Sequence, residues 1–359
     1  MKMAARLAPA LVVLLVAAAA AAHDVTPPSP TEMGKAAPTA TVEKKDEKVP
    51  ESVAMLTGAA DQNARKFPLG GLVLLEQELG TGTLVQDKYA RNPFYAWWIS
   101  IRPRYYVTNK FFLELRQDFN WELTNSFGTA TTYKRQFMPG DLSLTARYDN
   151  AYRIPKAEIG ISPYFRIFAP TSYESRYRSL QTTLSLGADI SRSFLNKIFL
   201  TYTIRASKNF NKYTTATVTG PVAVTRARGN EDLGNGVVAT GDNNVEWGLT
   251  NILMGTWSIN DQFSLTLMLG IINSWTYKTA GKDALAADSS KGGRGQRDKT
   301  LGVVDLSYQP WDHYGFSVGL YSYQPAKTDN NKSFRFPFFD FRSEANNYTY
   351  GYLDVYATY

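Results

Sequence analysis

The chain has 359 residues and a formal net charge of +7, and 44% of its residues are hydrophobic. It contains no cysteine, which excludes disulfides and thiolate metal sites. A basic balance of this size is compatible with nucleic-acid binding, but the secreted, strand-rich segments that follow along the chain argue against that function.

The amino terminus has the pattern of an export signal. Lys2 and Arg6 form a basic region, residues 7–19 are apolar, and the alanines at 20–22 offer a small-residue cleavage site. This order predicts a secretory signal peptide over residues 1–22. The alternative, a membrane anchor, is disfavoured because the run is shorter than the ~20 apolar residues that a spanning helix needs.

Residues 23–66 form a segment of different composition, rich in Pro, Ala, Thr, Lys and Glu and without aromatic residues. Such a segment cannot bury enough apolar surface to offset the entropy lost on ordering. We expect a disordered periplasmic segment that acts as a linker. A plug for a barrel lumen and a tether to another envelope component are the alternatives.

The remainder, residues 67–359, consists of segments of about ten residues that are apolar at every second position. Leu180, Leu184, Leu186 and Ile190, for example, alternate with polar residues. Period two is the side-chain period of a strand, and about ten tilted residues cross a bilayer. The sequence therefore predicts an all-β fold, a transmembrane antiparallel up-and-down β-barrel. The twelve predicted strands are 68–79, 95–107, 111–123, 140–148, 157–169, 180–191, 197–208, 244–259, 262–277, 299–308, 314–323 and 348–359.

The connectors between these segments alternate strictly between short and long. The long ones are 80–94, 124–139, 170–179, 209–243, 278–298 and 324–347. Outer-membrane barrels have short periplasmic turns and longer external loops. We therefore expect the short turns and the amino-terminal segment to be periplasmic and the long loops to be extracellular.

The carboxyl terminus carries a resemblance to a known class of proteins. Leu353, Val355, Ala357 and the terminal Tyr359 alternate with more polar residues. This pattern resembles the carboxyl-terminal signal strand of bacterial outer-membrane β-barrel proteins, most of which end in Phe rather than Tyr. The resemblance implies a location in the bacterial outer membrane and a partner in the barrel-assembly machinery, but it implies no specific family or function.

Catalytic chemistry finds little support in the sequence. The two histidines are His23, near the predicted mature terminus, and His313, in a predicted short turn. Neither lies on a strand near the external leaflet, where barrel enzymes with a Ser–His pair would need it. We expect no enzyme, no catalytic residues, no metal site and no cofactor.

Strand parity places a set of charged residues inside the predicted barrel. The pairing about residues 108–110 sets Arg104 opposite Glu114 and Arg102 opposite Arg116. The pore-lining candidates are Arg102, Arg104, Glu114, Arg116, Asp118, Arg147, Glu158, Arg166 and Arg205, and the same parity turns Glu122, Asp141, Asp189 and Lys197 inward. We expect Asp118 to lie diagonally near the first arginines and Arg147 to face Glu158.

The later strands predict a different wall. Ile252, Met254, Met268 and Val303 take the inward positions there, with Glu246 and Asp305 as the main charges. One side of the lumen is therefore expected to be charged and the other apolar or small. Ionisable groups inside a membrane protein suggest function, although a salt-bridge network that fills a narrow barrel is an equally good interpretation.

Two functions follow from this pattern. The first is a narrow passive channel for small polar or anionic solutes, since twelve strands lie between filled barrels of eight and open channels of sixteen. The alternative is a non-conducting structural or surface-interaction barrel whose long external loops bind lipopolysaccharide or a partner.

The predicted outer rim is basic. Its candidate residues are Lys134, Arg135, Lys291, Arg294 and Arg297. Lys and Arg pair well with phosphate oxygens, so we expect this rim to contact outer-membrane lipid and lipopolysaccharide. Capture of an anionic solute at the pore mouth is the other interpretation.

Overall fold

A computed structural model describes residues 68–80, 95–124, 137–195, 197–219, 237–278, 294–328, 332–335 and 349–359. The predicted signal peptide and the segment 23–66 lie outside these residues. The described elements are β1 (Leu69–Gly80), β2 (Tyr95–Tyr106), β3 (Phe111–Glu122), β4 (Phe137–Pro139), β5 (Leu142–Tyr148), β6 (Tyr152–Ile154), β7 (Ile159–Ala169), α1 (Tyr173–Tyr177), β8 (Leu180–Phe194), β9 (Ile198–Asn211), β10 (Thr215–Thr219), β11 (Val237–Asn243), β12 (Val245–Ser258), β13 (Phe263–Thr276), β14 (Gln296–Trp311), β15 (Tyr314–Pro325) and β16 (Thr349–Thr358).

The strands form a closed antiparallel barrel, as the sequence predicts. β1 pairs with β2 on one side and with β16 on the other, and every further pair along the sheet joins neighbours in the chain order of the barrel strands. The wall consists of twelve strands that cross the barrel from end to end, here called staves, and β4 and β5 together make up the fourth. The staves are β1, β2, β3, β4 with β5, β7, β8, β9, β12, β13, β14, β15 and β16. Closure leaves no unpaired edge along the wall.

Three details of the wall differ from the prediction. The fourth stave is interrupted at residues 140–141, between β4 and β5, and the turn before β7 contains the short strand β6. The predicted loop 209–243 contains β10 and β11, which pair only with each other as a separate hairpin. These pieces are too short to span a membrane, so a search for ten-residue segments does not find them.

The outer face of the barrel is apolar. On β13, Leu265, Leu267, Leu269 and Ile271 are exposed on the outside, while the alternate residues are buried inside. An apolar outer face on strands of this length is the arrangement of a membrane-spanning barrel. Among the described residues, no helix is long and apolar enough to cross a bilayer.

Exposed aromatic rings lie toward both ends of the staves. Trp121 and Trp247 are at the end that carries the long connectors, here called the long-connector end, and Trp257 and Trp311 are at the opposite, short-turn end. Such rings prefer the level of lipid headgroups. Their positions are those of the aromatic girdles that flank the apolar band of an outer-membrane barrel.

Glycines make room for tyrosine rings inside the barrel. Tyr352 of β16 lies opposite Gly319 of β15, and Tyr164 of β7 lies opposite Gly187 of β8. A Cβ atom added to Gly319 would lie 2.4 Å from the Tyr352 hydroxyl oxygen, and one added to Gly187 would lie 2.4 Å from Cζ of Tyr164. The rings therefore cover the glycine backbone and fill the space that a side chain would take.

Candidate functional site

The lumen of the barrel holds most of the candidate residues, beginning with β2 and β3. Arg104 and Glu114 face each other in register, and their side chains form an ion pair at 2.5 Å. Arg116 binds Asp118, also at 2.5 Å. Both pairs are largely buried, so each arginine is matched by a carboxylate and adds little net charge to the lumen.

Ser100 of β2 links this group to the next arginine. Its hydroxyl donates to Asp118 at 2.5 Å and accepts a hydrogen bond from Nε of Arg102 at 2.9 Å. Asp118 therefore lies beside the arginines, in the position that the sequence predicts. Hydrogen bonds of this kind hold the planar guanidinium groups in one orientation.

Arg147 of β5 has partners different from the predicted one. Its guanidinium bonds Asp149 at 2.6 Å and also Asp189 of β8, and Thr203 of β9 donates to Asp189 at 2.5 Å. The predicted pairing with Glu158 is wrong, because Glu158 lies exposed in the turn before β7 with a positive φ of 54°. The strand starts two residues later than expected, so the alternation of that strand does not extend to Glu158.

Arg166 and Arg205 complete the arginine-bearing side. Arg166 of β7 donates to Thr145 at 2.8 Å. Arg205, near the middle of β9, is half-buried and donates to Thr250 of β12 at 3.4 Å. Within the described part of the chain Arg205 forms no ion pair. Among the described residues its charge therefore has no carboxylate partner, unlike that of Arg104, Arg116 or Arg147.

The opposite wall is largely apolar, as the sequence predicts for the later strands. Its side chains form one buried cluster on β12 to β16 inside the lumen. The members are Ile252, Met254, Met268, Ile272, Leu301, Val303, Tyr321, Tyr323 and Tyr352. Residues of this type offer van der Waals contact and few polar groups to anything in the lumen.

Carboxylates on β1 and β16 extend the charged interior beyond the predicted set, and they lie near Asp305 of β14, which the sequence predicts to point inward. Glu76 and Glu78 of β1 are buried, and Glu76 lies directly opposite Asp354 of β16. Asp305 of β14 accepts a hydrogen bond from Tyr352 at 2.8 Å. The consecutive apolar residues of β1 hide its alternation. The sequence signal that identifies the inward face of β1 is the pair Glu76 and Glu78, two residues apart, because carboxylates on the lipid face are costly.

A cavity of about 90 Å³ lies between the two walls. Arg116, Asp118 and Arg205 line it on the charged side, together with hydroxyl groups that include those of Ser207 and Thr250. Ile272 and Tyr323 line the apolar side. The cavity thus brings together two of the predicted arginines, the carboxyl groups of Asp118 and Asp141, and a set of hydroxyl groups that can both donate and accept hydrogen bonds.

Asp141, in the interruption between β4 and β5, faces the same cavity. Its Oδ1 accepts hydrogen bonds from the backbone N–H groups of Thr171 and Ser172, each at 3.1 Å. These bonds tie the connector that leads to α1 onto the barrel wall. Asp141 is thereby held at the long-connector end of the lumen.

The predicted basic rim is partly described. Arg294 bonds Glu246 at 2.7 Å, and Lys208 bonds the other oxygen of Glu246 at 2.5 Å. The ammonium group of Lys208 also lies 4.8 Å from the ring centre of Trp247. Arg297 is exposed at the start of β14. Lys134, Arg135 and Lys291 lie outside the described residues.

The residues of the predicted assembly signal lie on the outer face of β16. Leu353, Val355 and Tyr359 are exposed and Ala357 is half-buried. Tyr359 and Gly71 of β1 exchange backbone hydrogen bonds of 3.0 and 3.3 Å. The last residue of the chain therefore takes part in the seam that closes the barrel.

In the described part of the chain, no three His, Cys, Asp or Glu side chains are grouped so that they could hold a metal ion. His313 is exposed in the turn between β14 and β15. The arrangement in the lumen is suited to polar contact with a small molecule.

No family model matches the chain, and no curated protein matches it. Several solved structures are similar in fold. An outer-membrane channel from Pseudomonas putida F1 is 13% identical, with 84% of this chain and 98% of that chain covered and a TM-score of 0.49.

Two further solved structures bear a similar likeness. The NanC porin is 10% identical over 79% of this chain and 98% of its own, with a TM-score of 0.40. The translocator domain of the autotransporter NalP from Neisseria meningitidis is 10% identical over 83% and 90%, with a TM-score of 0.40. These likenesses concern the fold and do not distinguish between functions.

Proposed function

We propose that this protein is a bacterial outer-membrane barrel that forms a narrow passive channel for small polar or anionic solutes. The observation that carries the proposal is the cavity between the two walls of the lumen, into which Arg205 brings a charge without an ion-pair partner in the described part of the chain. Field lines from such a charge are focused in a narrow passage with low-dielectric walls. No catalytic step is part of this proposal.

The structure changes which arginine is expected to act on a solute. Arg104 and Arg116 are each neutralised by a carboxylate at 2.5 Å. A passing anion would have to compete with those carboxylates for the guanidinium groups. Within the described residues, Arg205 donates a single hydrogen bond, a long one of 3.4 Å to Thr250. It is therefore the arginine that a solute can approach at the lowest cost.

Conductance of the refolded protein in planar bilayers tests the channel. We expect small conductance steps and a reversal potential, in a salt gradient, that indicates preference for anions. Arg205→Glu should shift the reversal potential toward cation preference. The matched control is Lys156→Glu, which makes the same charge change in an exposed turn away from the lumen. Equal selectivity of the two variants would reject Arg205 as the selecting residue.

The second candidate function is a non-conducting structural barrel. The ion pairs Arg104–Glu114, Arg116–Asp118 and Arg147–Asp189 favour it, because all three occupy lumen space and the first and third also join different strands. The same bilayer experiment separates the two functions. A correctly folded wild-type protein that gives no conductance would favour the structural barrel, whose external loops would then carry the function.

We further propose that the rim contacts the phosphates of lipopolysaccharide. Arg294 and Lys208 share the single carboxylate of Glu246, which leaves one excess positive charge at that place. Neutralising Arg294 and Arg297 should weaken lipopolysaccharide association, and the loss should be largest at low salt because exposed charges are screened. Unchanged association at low salt would contradict this contact.

For membrane insertion we propose that the barrel-assembly machinery recognises the terminal strand. Tyr359 is 61% exposed on the outer face, where an interfacial aromatic ring is favourable. Tyr359→Asp should lower the yield of folded barrel in the membrane, whereas Tyr359→Phe should preserve it. The measurement is the fraction of heat-modifiable protein on a gel, and equal fractions for the two variants would contradict the proposal.

A further inference from the structure

Arg192 places a positive charge on the outer face of the barrel. Asp189 and Ser191 of β8 are buried inside, whereas Leu186 is 66% exposed on the outside. Arg192 stands an even number of residues from Leu186, and no register shift interrupts the pairing of this part of β8 with β9. The side chain of Arg192 therefore points away from the lumen, toward lipid.

The surroundings of Arg192 on this face are apolar. Leu200 of β9 lies directly opposite it, and Ile190 lies on the same face of β8. The ring centre of Phe194 is 4.5 Å from Cζ of the guanidinium group. A charged side chain that faces lipid is costly, so an anionic partner at this place would be favourable.

The described part of the protein supplies no such partner. Within it, the guanidinium group of Arg192 forms no ion pair and no hydrogen bond, and its electrostatic contact is with the ring of Phe194. Nε is enclosed, whereas the two terminal nitrogen atoms are not. Those two atoms carry four of the five N–H donors, and guanidinium donors contact phosphate oxygens in pairs.

Arg192 also lies close to the level of lipid headgroups at the short-turn end. It is two residues before Phe194, where β8 ends. On a tilted strand this is about 5 Å along the membrane normal. Trp257, an exposed ring of the girdle at this end, pairs with Ile198 at the start of β9. The end of β8 is therefore near the interface, where lipid phosphates lie.

The turns on either side of Arg192 add positive charge. Lys156, before β7, and Lys197, between β8 and β9, are both exposed, and the exposed acid of these two turns is Glu158. Three basic groups and one acidic group leave an excess of two positive charges at this place. Such an excess attracts anionic headgroups.

We infer that Arg192 binds the phosphate group of a glycerophospholipid on the outer surface of the barrel, in the leaflet at the short-turn end. The orientation expected from the connectors makes this the inner leaflet, which glycerophospholipids form. The terminal N–H groups of Arg192 donate to the phosphate oxygens, and the acyl chains lie along Ile190 and Leu200. The inference does not depend on whether the barrel conducts.

Native mass spectrometry of the full-length protein, released from detergent micelles, tests this site. The probes are dioleoylphosphatidylglycerol and dioleoylglycerol, which has the same acyl chains and no phosphate. We expect the wild type to bind the phospholipid about fivefold more tightly, the contribution of one basic residue near an anionic surface. Equal binding of the two lipids would overturn the inference.

Variants assign the binding to Arg192. Arg192→Gln should lose the fivefold preference, and Arg192→Lys, which keeps the charge, should retain most of it. The matched control is Lys110→Gln, which removes an exposed basic group from another short turn at the same end of the barrel. A loss in Lys110→Gln equal to that in Arg192→Gln would indicate general attraction of anions to this end and would reject the specific site.

Lipid A, added in place of the phospholipid, distinguishes the two sources of phosphate in the membrane. If Arg192→Gln weakened the binding of lipid A and left that of phosphatidylglycerol unchanged, the site would belong to lipopolysaccharide and the inference would be wrong. Either result leaves the proposed channel in place, because Arg192 lies outside the lumen. Since the comparison of phospholipid with dioleoylglycerol uses the wild type alone, a variant that does not fold leaves the test decisive.

Discussion

At the scale of single residues, the lumen is organised by which carboxylate each arginine meets. Arg147 reaches two, Asp149 on its own stave and Asp189 on β8, and so connects strands that are not neighbours in the sheet. Asp189 is completely buried and accepts a second bond from Thr203. A charge buried in this way depends on its cation, since removal of one partner leaves the other uncompensated.

Replacement of Arg147 should therefore destabilise the barrel strongly. Arg147→Gln removes the charge that balances Asp189, and we expect a loss of about 3 kcal/mol in the free energy of unfolding. The measurement is urea unfolding in lipid vesicles, followed by tryptophan fluorescence. Lys156→Gln, which alters an exposed lysine of the turn before β7, should change the free energy of unfolding by less than about 0.5 kcal/mol. The double variant Arg147→Gln with Asp189→Asn should recover part of the loss, and no recovery would contradict the assigned ion pair.

At the scale of elements, the tyrosine–glycine pairs fix how closely neighbouring staves approach. Gly319→Ala would bring a Cβ within 2.4 Å of the Tyr352 hydroxyl oxygen and 2.5 Å of the Val304 carbonyl oxygen. The ring would have to move away from Asp305, to which it donates. A Cβ added to Gly351 on β16 would lie 3.9 Å from the backbone oxygen of Leu79, which is an ordinary van der Waals contact.

We expect Gly319→Ala to cost about 1–3 kcal/mol, the usual effect of overpacking. Gly351→Ala makes the same chemical change in the adjacent stave and should be close to neutral. Unfolding midpoints in urea, measured side by side, provide the comparison. Equal midpoints for the two variants would mean that the Tyr352 ring does not constrain the spacing of β15 and β16.

The staves themselves are the part of the structure that the sequence predicts best. Alternation over ten residues identifies the wall, and a tight turn at 108–110 is enough to align Arg104 with Glu114. The prediction fails where alternation breaks down. Glu158 lies in the turn before β7, and the inward side of β1 is hidden because Leu72 and Leu74 are as apolar as their outward neighbours.

The cavity results from side-chain packing across the barrel. The alternation of inward and outward positions along each strand does not predict that packing. Asp141 and Arg205 are far apart in the chain and lie on staves that are not paired with each other, yet they line the same space. Strand alternation predicts that the side chains of Asp141 and Arg205 point inward. It does not predict that Arg147 forms an ion pair with Asp189, or that Arg205 has no ion-pair partner among the described residues. Those choices depend on side-chain geometry across the lumen.

At the scale of the whole molecule, the strict alternation of short and long connectors gives the barrel a direction. We expect the long-connector end to face the outside of the cell and the short-turn end to face the periplasm. The absence of cysteine from the sequence makes single introduced cysteines clean reporters of this orientation. Lys278, after β13, and Asn260, in the turn between β12 and β13, are both exposed and lie at opposite ends of the same stave.

A membrane-impermeant maleimide applied to intact cells should therefore label Lys278→Cys and spare Asn260→Cys. Permeabilising the outer membrane should make both labels equal, which controls for the reactivity of each thiol. The result follows from connector length alone, because the two positions share one β-strand that crosses the membrane. Labelling of Asn260→Cys on intact cells, with Lys278→Cys protected, would mean that the orientation is the reverse and that the end of the lumen holding Asp141 faces the periplasm.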